Sequence, residues 1–210
     1  DALTLTHLRP ERKGEPLVEN PHFLSTELLR AFMARLEPLR GKLGPLMLQF
    51  GYLNKQMMPS QSAFLERLDA FVKTLPAGLT WGVEIRNPNW LNDAYFTWLR
   101  DRGLTHVFEQ GYFMPAVAGV YAKHADQLTD AAVIRMHGQD YEGMGKRVGK
   151  DWSKVVEPHD EDLDRIAAML KDLGAKCKNA WAFVNNHFEG CAPATIKRLK
   201  ERMRAGTLGG

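Results

Sequence analysis

The chain has 210 residues, 44% hydrophobic and 25% charged, which suits one soluble core and is read as a single domain over 1–210. A net charge of +3 leaves room for an anionic ligand but is too weak for a nucleic-acid footprint. No run approaches the roughly 18 apolar residues of a membrane span, no signal-peptide layout opens the chain, and Cys177 and Cys191 lack Cys-x-x-Cys or zinc spacing, so a reducing, cytoplasmic setting is expected.

The first twenty residues read as irregular. From Ser25, a plausible N-cap, Leu28, Leu29, Phe32, Met33 and Leu36 recur at helical spacing. Leu46 to Phe50 is a continuous apolar run of buried-strand type. A helix follows from about Ser60 to Leu75, closed by Pro76 and Gly78, and then a strand from Thr80 to Arg86. The alternation continues with a helix from Asp93 to Arg102, a strand from Leu104 to Glu109, and a long connection, Tyr112 to Thr129, with a helical middle. Ala131 to Met136 is a strand ending at His137-Gly138, followed by a Gly- and Lys-rich loop to about His159 and a helix from Asp160 to Leu173. The last strand, Trp181 to Val184, ends in a polar turn before Pro193 opens an amphipathic run from Ile196 to Met203. Five strands separated by helices or long crossovers predict an α/β fold with a parallel sheet, either doubly wound or closed as a barrel.

The period of two puts Glu84 and Arg86 on one face of their strand, opposite Val83 and Ile85, and puts Arg135 with His137. Glu84 and Arg135 are expected to form a buried ion pair, with Gln49, Arg86, His137 and Asn185 nearer the strand ends, where α/β sites sit. Glu84 and His137 are candidates for general acid and base, with Arg86 beside them. Trp90, Tyr112 and Phe113 follow strand ends directly and could stack on a sugar or base, and Gln110 at a strand end is a further candidate contact, whereas Trp81, Trp98 and Trp181 are expected in the core. After the last strand, Asn185, Asn186, His187, Glu189 and Gly190 form a polar turn at a helix start. The Thr195 amide is expected among the free first-turn donors, and Arg147 and Lys150 would fold over a bound anion as a lid. No cofactor is expected. A divalent metal on Glu84, His137, His187 and Glu189 is the alternative, although no His-x-His or His-Glu-x-x-His pair is present.

Several segments carry a family resemblance. Leu43-Gly44-Pro45-Leu46, Tyr52-Leu53-Asn54-Lys55, Val83 to Trp90, Gln110-Gly111-Tyr112, Arg135 with His137-Gly138, and Asn185-Asn186-His187 with Glu189-Gly190 are similar to the YecE-like family, domain of unknown function 72. The resemblance implies a TIM barrel with no established reaction. It also implies eight βα units, of which about five have counterparts here, so an incomplete or N-terminally truncated barrel is expected, with self-association through raw sheet edges. Restoring an upstream segment is expected to raise stability. Where the family pattern leads one to expect an apolar or small residue, Tyr and Ser, this chain has Glu109, Phe188 and Cys191.

Three function classes stay open: a barrel protein that binds or acts on a phosphorylated or other anionic small molecule, a metal-dependent nucleic-acid phosphoesterase, and a non-catalytic binding or scaffold protein.

Overall fold

The computed structural model describes residues 2–8, 16–111, 113–176 and 179–205. The chain divides into two compact units, 1–90 and 91–210.

In the first unit the segment expected to be irregular contains a short antiparallel ladder, β1 (His7–Leu8) against β2 (Val18–Glu19). The buried Asn20 side chain donates to the carbonyls of Ala2 and Leu5, tying the opening segment down. Such a tertiary anchor leaves no periodic trace in sequence. Helix α1 (Thr26–Leu36) starts where Ser25 Oγ accepts from the Leu28 amide at 3.2 Å, and it buries Leu29 and Met33. Strand β3 (Leu46–Gln49) leads to α2 (Gln61–Val72), capped by Ser60, and on to β4 (Trp81–Glu84). β3 and β4 are parallel, with Leu46 opposite Trp81 and Gln49 opposite Glu84. Phe64, Leu68 and Phe71 recur at helical spacing and are buried, with Phe50 meeting Phe64 edge-to-face at 4.9 Å.

The second unit opens with α3 (Asp93–Arg100), capped by Asn92. It continues through β5 (Thr105–Gly111), α4 (Val117–His124), β6 (Ala131–Gly138), α5 (Tyr141–Val148), α6 (Asp160–Lys176), β7 (Asn179–Val184) and α7 (Ala192–Ala205). β5, β6 and β7 are parallel in that order, with Val107 opposite Val133 and Val133 opposite Trp181. Each βα crossover returns the chain to the same edge direction, which is how parallel strands must be joined. β5 is buried along its whole length, so its polar side chains need internal partners. His106 Nδ1 lies 3.2 Å from the Tyr95 hydroxyl, and Thr105 Oγ1 lies 3.2 Å from Thr129 Oγ1.

Two readings change here. The segment from Gly138 to His159, expected to be a loop, contains α5, whose N-cap Asp140 accepts from the Gly143 amide at 2.8 Å and whose Met144 and Val148 are buried. Trp98 and Trp181, expected in the core, are only half-buried, and the Arg102 guanidinium lies 4.3 Å above the Trp98 ring. Cys191 is a free, buried cysteine, while Cys177 and Tyr112 lie outside the described residues. Among the described residues no helix is long and apolar enough to cross a membrane.

Candidate functional site

Glycines draw the strand ends of the second unit together. At Gly111 (φ 138°) a Cβ would lie 2.3 Å from the Gly138 carbonyl oxygen, and at Gly138 (φ 82°) 2.3 Å from that of His187. Any other residue would collide with backbone, so β5, β6 and the turn Asn186–Phe188 meet only because both positions lack a side chain.

A cavity of about 320 Å³ opens at these ends, within the size range of small-molecule pockets. Its polar lining includes Gln110 from β5, Asp140 and Arg147 from the start and last turn of α5, Glu157 and His159 from the loop before α6, Asp162 from α6, and His187. Met144 and Phe188 supply apolar surface. Gln110 is held at both ends: its Nε2 donates to Asp162 Oδ2 at 3.1 Å and its Oε1 accepts from the Val117 amide at 3.0 Å. Arg147 bridges Asp140 at 3.2 Å and Glu157 at 2.7 Å. The Gly143 amide, then the Arg147 guanidinium, hold the Asp140 carboxyl below its ordinary range. The lining thus carries three carboxylates, Asp140, Glu157 and Asp162, against the single guanidinium of Arg147.

His187 has the most defined chemistry. Asn185 Oδ1 accepts from the His187 backbone amide at 2.9 Å, which identifies it as the amide oxygen, and the same oxygen lies 2.8 Å from His187 Nδ1. An oxygen can only accept, so Nδ1 carries the proton and Nε2 of the neutral ring holds the lone pair. Burial lowers the His187 pKa from its ordinary value, which favours that neutral form. Tyr141 stacks on the ring at 3.9 Å and Trp152 meets it at 4.8 Å with planes 60° apart, fixing its orientation.

The structure sorts the candidates. Of the expected contacts, Gln110, Arg147 and His187 line this cavity, and Asn185 sets the His187 tautomer. His137 Nε2 lies 3.8 Å from Glu109 Oε2, and both side chains are largely buried. Lys150 is exposed and is not part of the lining. Asn186 Oδ1 accepts from the Ala192 amide at 2.7 Å and so caps α7. The Thr195 amide, expected to be a free donor, bonds the Cys191 carbonyl at 2.9 Å. Gly190 (φ 105°) faces Val156 and the Lys154 carbonyl, where a Cβ would lie 2.9 and 3.1 Å away. Its missing side chain therefore serves loop packing, and the Ala192 and Thr195 amides are taken up by partners within the chain.

Glu189 is fully buried among internal partners. Its Oε1 accepts from the His159 amide at 2.7 Å and from Arg198, and its Oε2 from Thr195 Oγ1 at 2.7 Å. In the first unit, Arg86 donates from Nε and Nη2 to Glu84 Oε1, each at 3.2 Å, as the period of two allows. Gln49 lines an apolar cavity with Leu46 and Trp81, and Trp90 packs on Phe64 at 5.4 Å.

Asp140, Tyr141, Trp152, Glu157, His159 and Asp162 were missed by sequence reasoning. Only Asp140, an Asp three residues before a glycine after a strand end, carried a local signal, that of a helix cap. Among the described residues no group of three or more His, Cys, Asp or Glu side chains is placed to hold a metal ion.

Parallel βα units with a polar cavity at the carboxyl ends of the strands define an α/β protein with a pocket of small-molecule size. The model of the protein family of unknown function DUF72 matches residues 4–208, and the chain belongs to that family. Among solved structures it is similar to a DUF72 family protein of Thermotoga maritima MSB8, with 21% identity and a TM-score of 0.62 over 85% of this chain and 65% of that one. It is also similar to a DUF72 family protein of Enterococcus faecalis V583, with 15% identity and a TM-score of 0.64 over 86% of this chain and 66% of that one. The chain therefore spans less than two thirds of the length of either. No curated protein matches it.

Proposed function

We propose that the second unit binds a small polar molecule in the cavity at the ends of β5 and β6, with His187 Nε2 accepting a hydrogen bond or proton from it. The observation that carries this reading is the double acceptance by Asn185 Oδ1, which leaves Nε2 of a cavity-lining ring as its acceptor. Three carboxylates in the lining favour a ligand that presents donors, such as hydroxyl or amino groups. The test is calorimetry with a panel of polyols and amines against the wild type, His187→Phe and Asp162→Asn. Saturable binding that both substitutions weaken at least tenfold is expected, and binding that survives both would overturn the reading.

An anionic ligand is the second reading, favoured by Arg147 on the cavity wall. It would have to draw Arg147 away from Asp140 and Glu157. A rise in melting temperature with phosphate at constant ionic strength, lost in Arg147→Ala with Lys150→Ala, would favour it over the first; a chloride control with the same rise would remove it.

As to the fold, we infer that these βα units are of TIM-barrel type, supported by their alternation in each unit and by the fold shared with longer DUF72 proteins. A crystal structure with the strands splayed as an open, doubly wound sheet would overturn that inference.

A further inference from the structure

The first unit carries a cavity of its own, about 370 Å³, built from two of the segments that the sequence singled out, Tyr52 to Lys55 and Asn87 to Trp90, together with the start of α2. Its floor is apolar: Leu53, Met58 and Trp90 are all buried. Its wall is pinned. The buried Asn87 side chain accepts from the Leu53 amide at 2.9 Å and donates to the Leu53 carbonyl at 2.8 Å, pairing with that residue as a neighbouring strand would. Asn54 Oδ1 accepts from the amides of Gln56 and Met57 at 2.9 and 3.0 Å, closing the next turn, and Gln61 Nε2 donates to the Trp90 carbonyl at 2.7 Å.

On this rigid loop the Tyr52 side chain remains 64% exposed. A large aromatic ring left in water on a backbone that costs no further ordering is a stacking surface. Lys55 also lines the cavity, and among the described residues neither Tyr52 nor Lys55 has a side-chain hydrogen bond or ion pair. Among the described residues the lining contains no Asp or Glu, and the Lys55 ammonium is its only formal charge. Charge and surface together specify the ligand: one anionic group for the ammonium and one flat ring for the phenol face.

We propose that this cavity binds a small anion carrying a planar ring, an aryl or heteroaryl carboxylate or phosphate, with Lys55 meeting the charge and Tyr52 the ring. The site is separate in its residues from the His187 cavity, so the failure of either reading leaves the other standing.

Calorimetric titrations of the whole chain with phenyl phosphate, benzoate, benzyl alcohol and inorganic phosphate test it. Both aryl anions are expected to bind saturably and more tightly than ring or phosphate alone, and the tighter of the two identifies the acid group preferred. Lys55→Ala should weaken the aryl anions about tenfold, as expected on losing one charge-assisted contact, and leave benzyl alcohol unchanged, whereas Tyr52→Ala should weaken all ring compounds. Both side chains are surface groups, so unchanged circular dichroism and melting temperature will show that the variants fold. The proposal is overturned if neither aryl anion binds, if inorganic phosphate binds as well as phenyl phosphate, or if both variants bind like the wild type.

Discussion

Asn185 Oδ1 accepts from both the backbone amide and the ring Nδ1 of His187, at 2.9 and 2.8 Å. One oxygen therefore fixes an amide orientation, a tautomer and a ring position together. Long-range proton–nitrogen correlation spectra should show His187 Nδ1 protonated and Nε2 bare at pH 7 and above. Because burial lowers the ring's pKa, its titration midpoint should fall below 6.5. Asn185→Ala removes the acceptor and should give a mixture of tautomers. A midpoint at or above 6.5, or a protonated Nε2 in the neutral wild type, would sink the acceptor role.

His106 predicts an acid-sensitive fold. Its pKa is lowered from 6.5 to about 3, first by complete burial and then by the nearby His124, which in turn lies 3.2 Å from Asp93. The sign follows from proton counts: between pH 6.5 and about 3 the unfolded chain binds a proton at this site that the folded chain refuses. The stability contributed by neutral His106 is therefore present above pH 6.5 and lost as pH falls towards 3. The slope is about 1.4 kcal/mol per pH unit for one proton. Urea unfolding across that range should show the slope, and His106→Phe should flatten it while lowering stability at pH 7 by removing the imidazole that lies 3.2 Å from the Tyr95 hydroxyl. An unchanged slope in that variant would place the proton uptake elsewhere.

Much of the fold was legible because local chemistry and burial agree. Ser25 and Ser60 cap the helices their apolar periods announce, and Leu46 to Gln49 and Trp81 to Glu84 form strands where apolar runs stand. Helix α5 was hidden because Gly143 and Gly145 each cost about 1 kcal/mol of helix propensity, offset only by the Asp140 cap and the burial of Met144 and Val148. At the candidate site Gln110, Arg147 and His187 could be found at or after strand ends, but Glu157 and Asp162 arrive from a segment with no motif. Glu189 looked like a displayed carboxylate. Its burial depends on Thr195 and Arg198 reaching back from α7, which no spacing rule announces.

Two glycines with positive φ offer a matched test of the strand-end closure. Gly138 (φ 82°) faces the His187 carbonyl oxygen, whereas Gly149 (φ 62°) has nothing within 4 Å of a built Cβ. Gly149 (φ 62°, ψ −113°) lies outside the left-handed helical well, so Gly149→Ala should cost about 1–3 kcal/mol for backbone strain alone. Gly138→Ala adds a collision with backbone and should cost at least about 2 kcal/mol more. It should also shift the His187 ring resonances. Equal losses for the two variants in urea unfolding would show that β6 and the 186–188 turn can separate freely.

Glu189 anchors the wall of the second-unit cavity from behind. Its side chain holds the His159 amide, Thr195 and Arg198, and its carbonyl accepts from the amides of Val156 and Glu157. Arg198 also reaches Asp160, to which Arg202 binds, so one buried carboxylate joins the loop before α6 to the ion pairs between α6 and α7. Removing it leaves a half-buried guanidinium without its inner partner and a Thr195 hydroxyl with only the Cys191 carbonyl, at 3.0 Å, to donate to. Glu189→Ala should therefore cost about 3–5 kcal/mol, in the range for breaking one side of a buried pair. Glu189→Gln keeps an acceptor and should cost less. Hydrogen exchange at the His159 amide should accelerate in the alanine variant, because its acceptor is gone while its own sequence is unchanged. A loss below 1 kcal/mol with His159 protection intact would mean that the loop is held by other contacts.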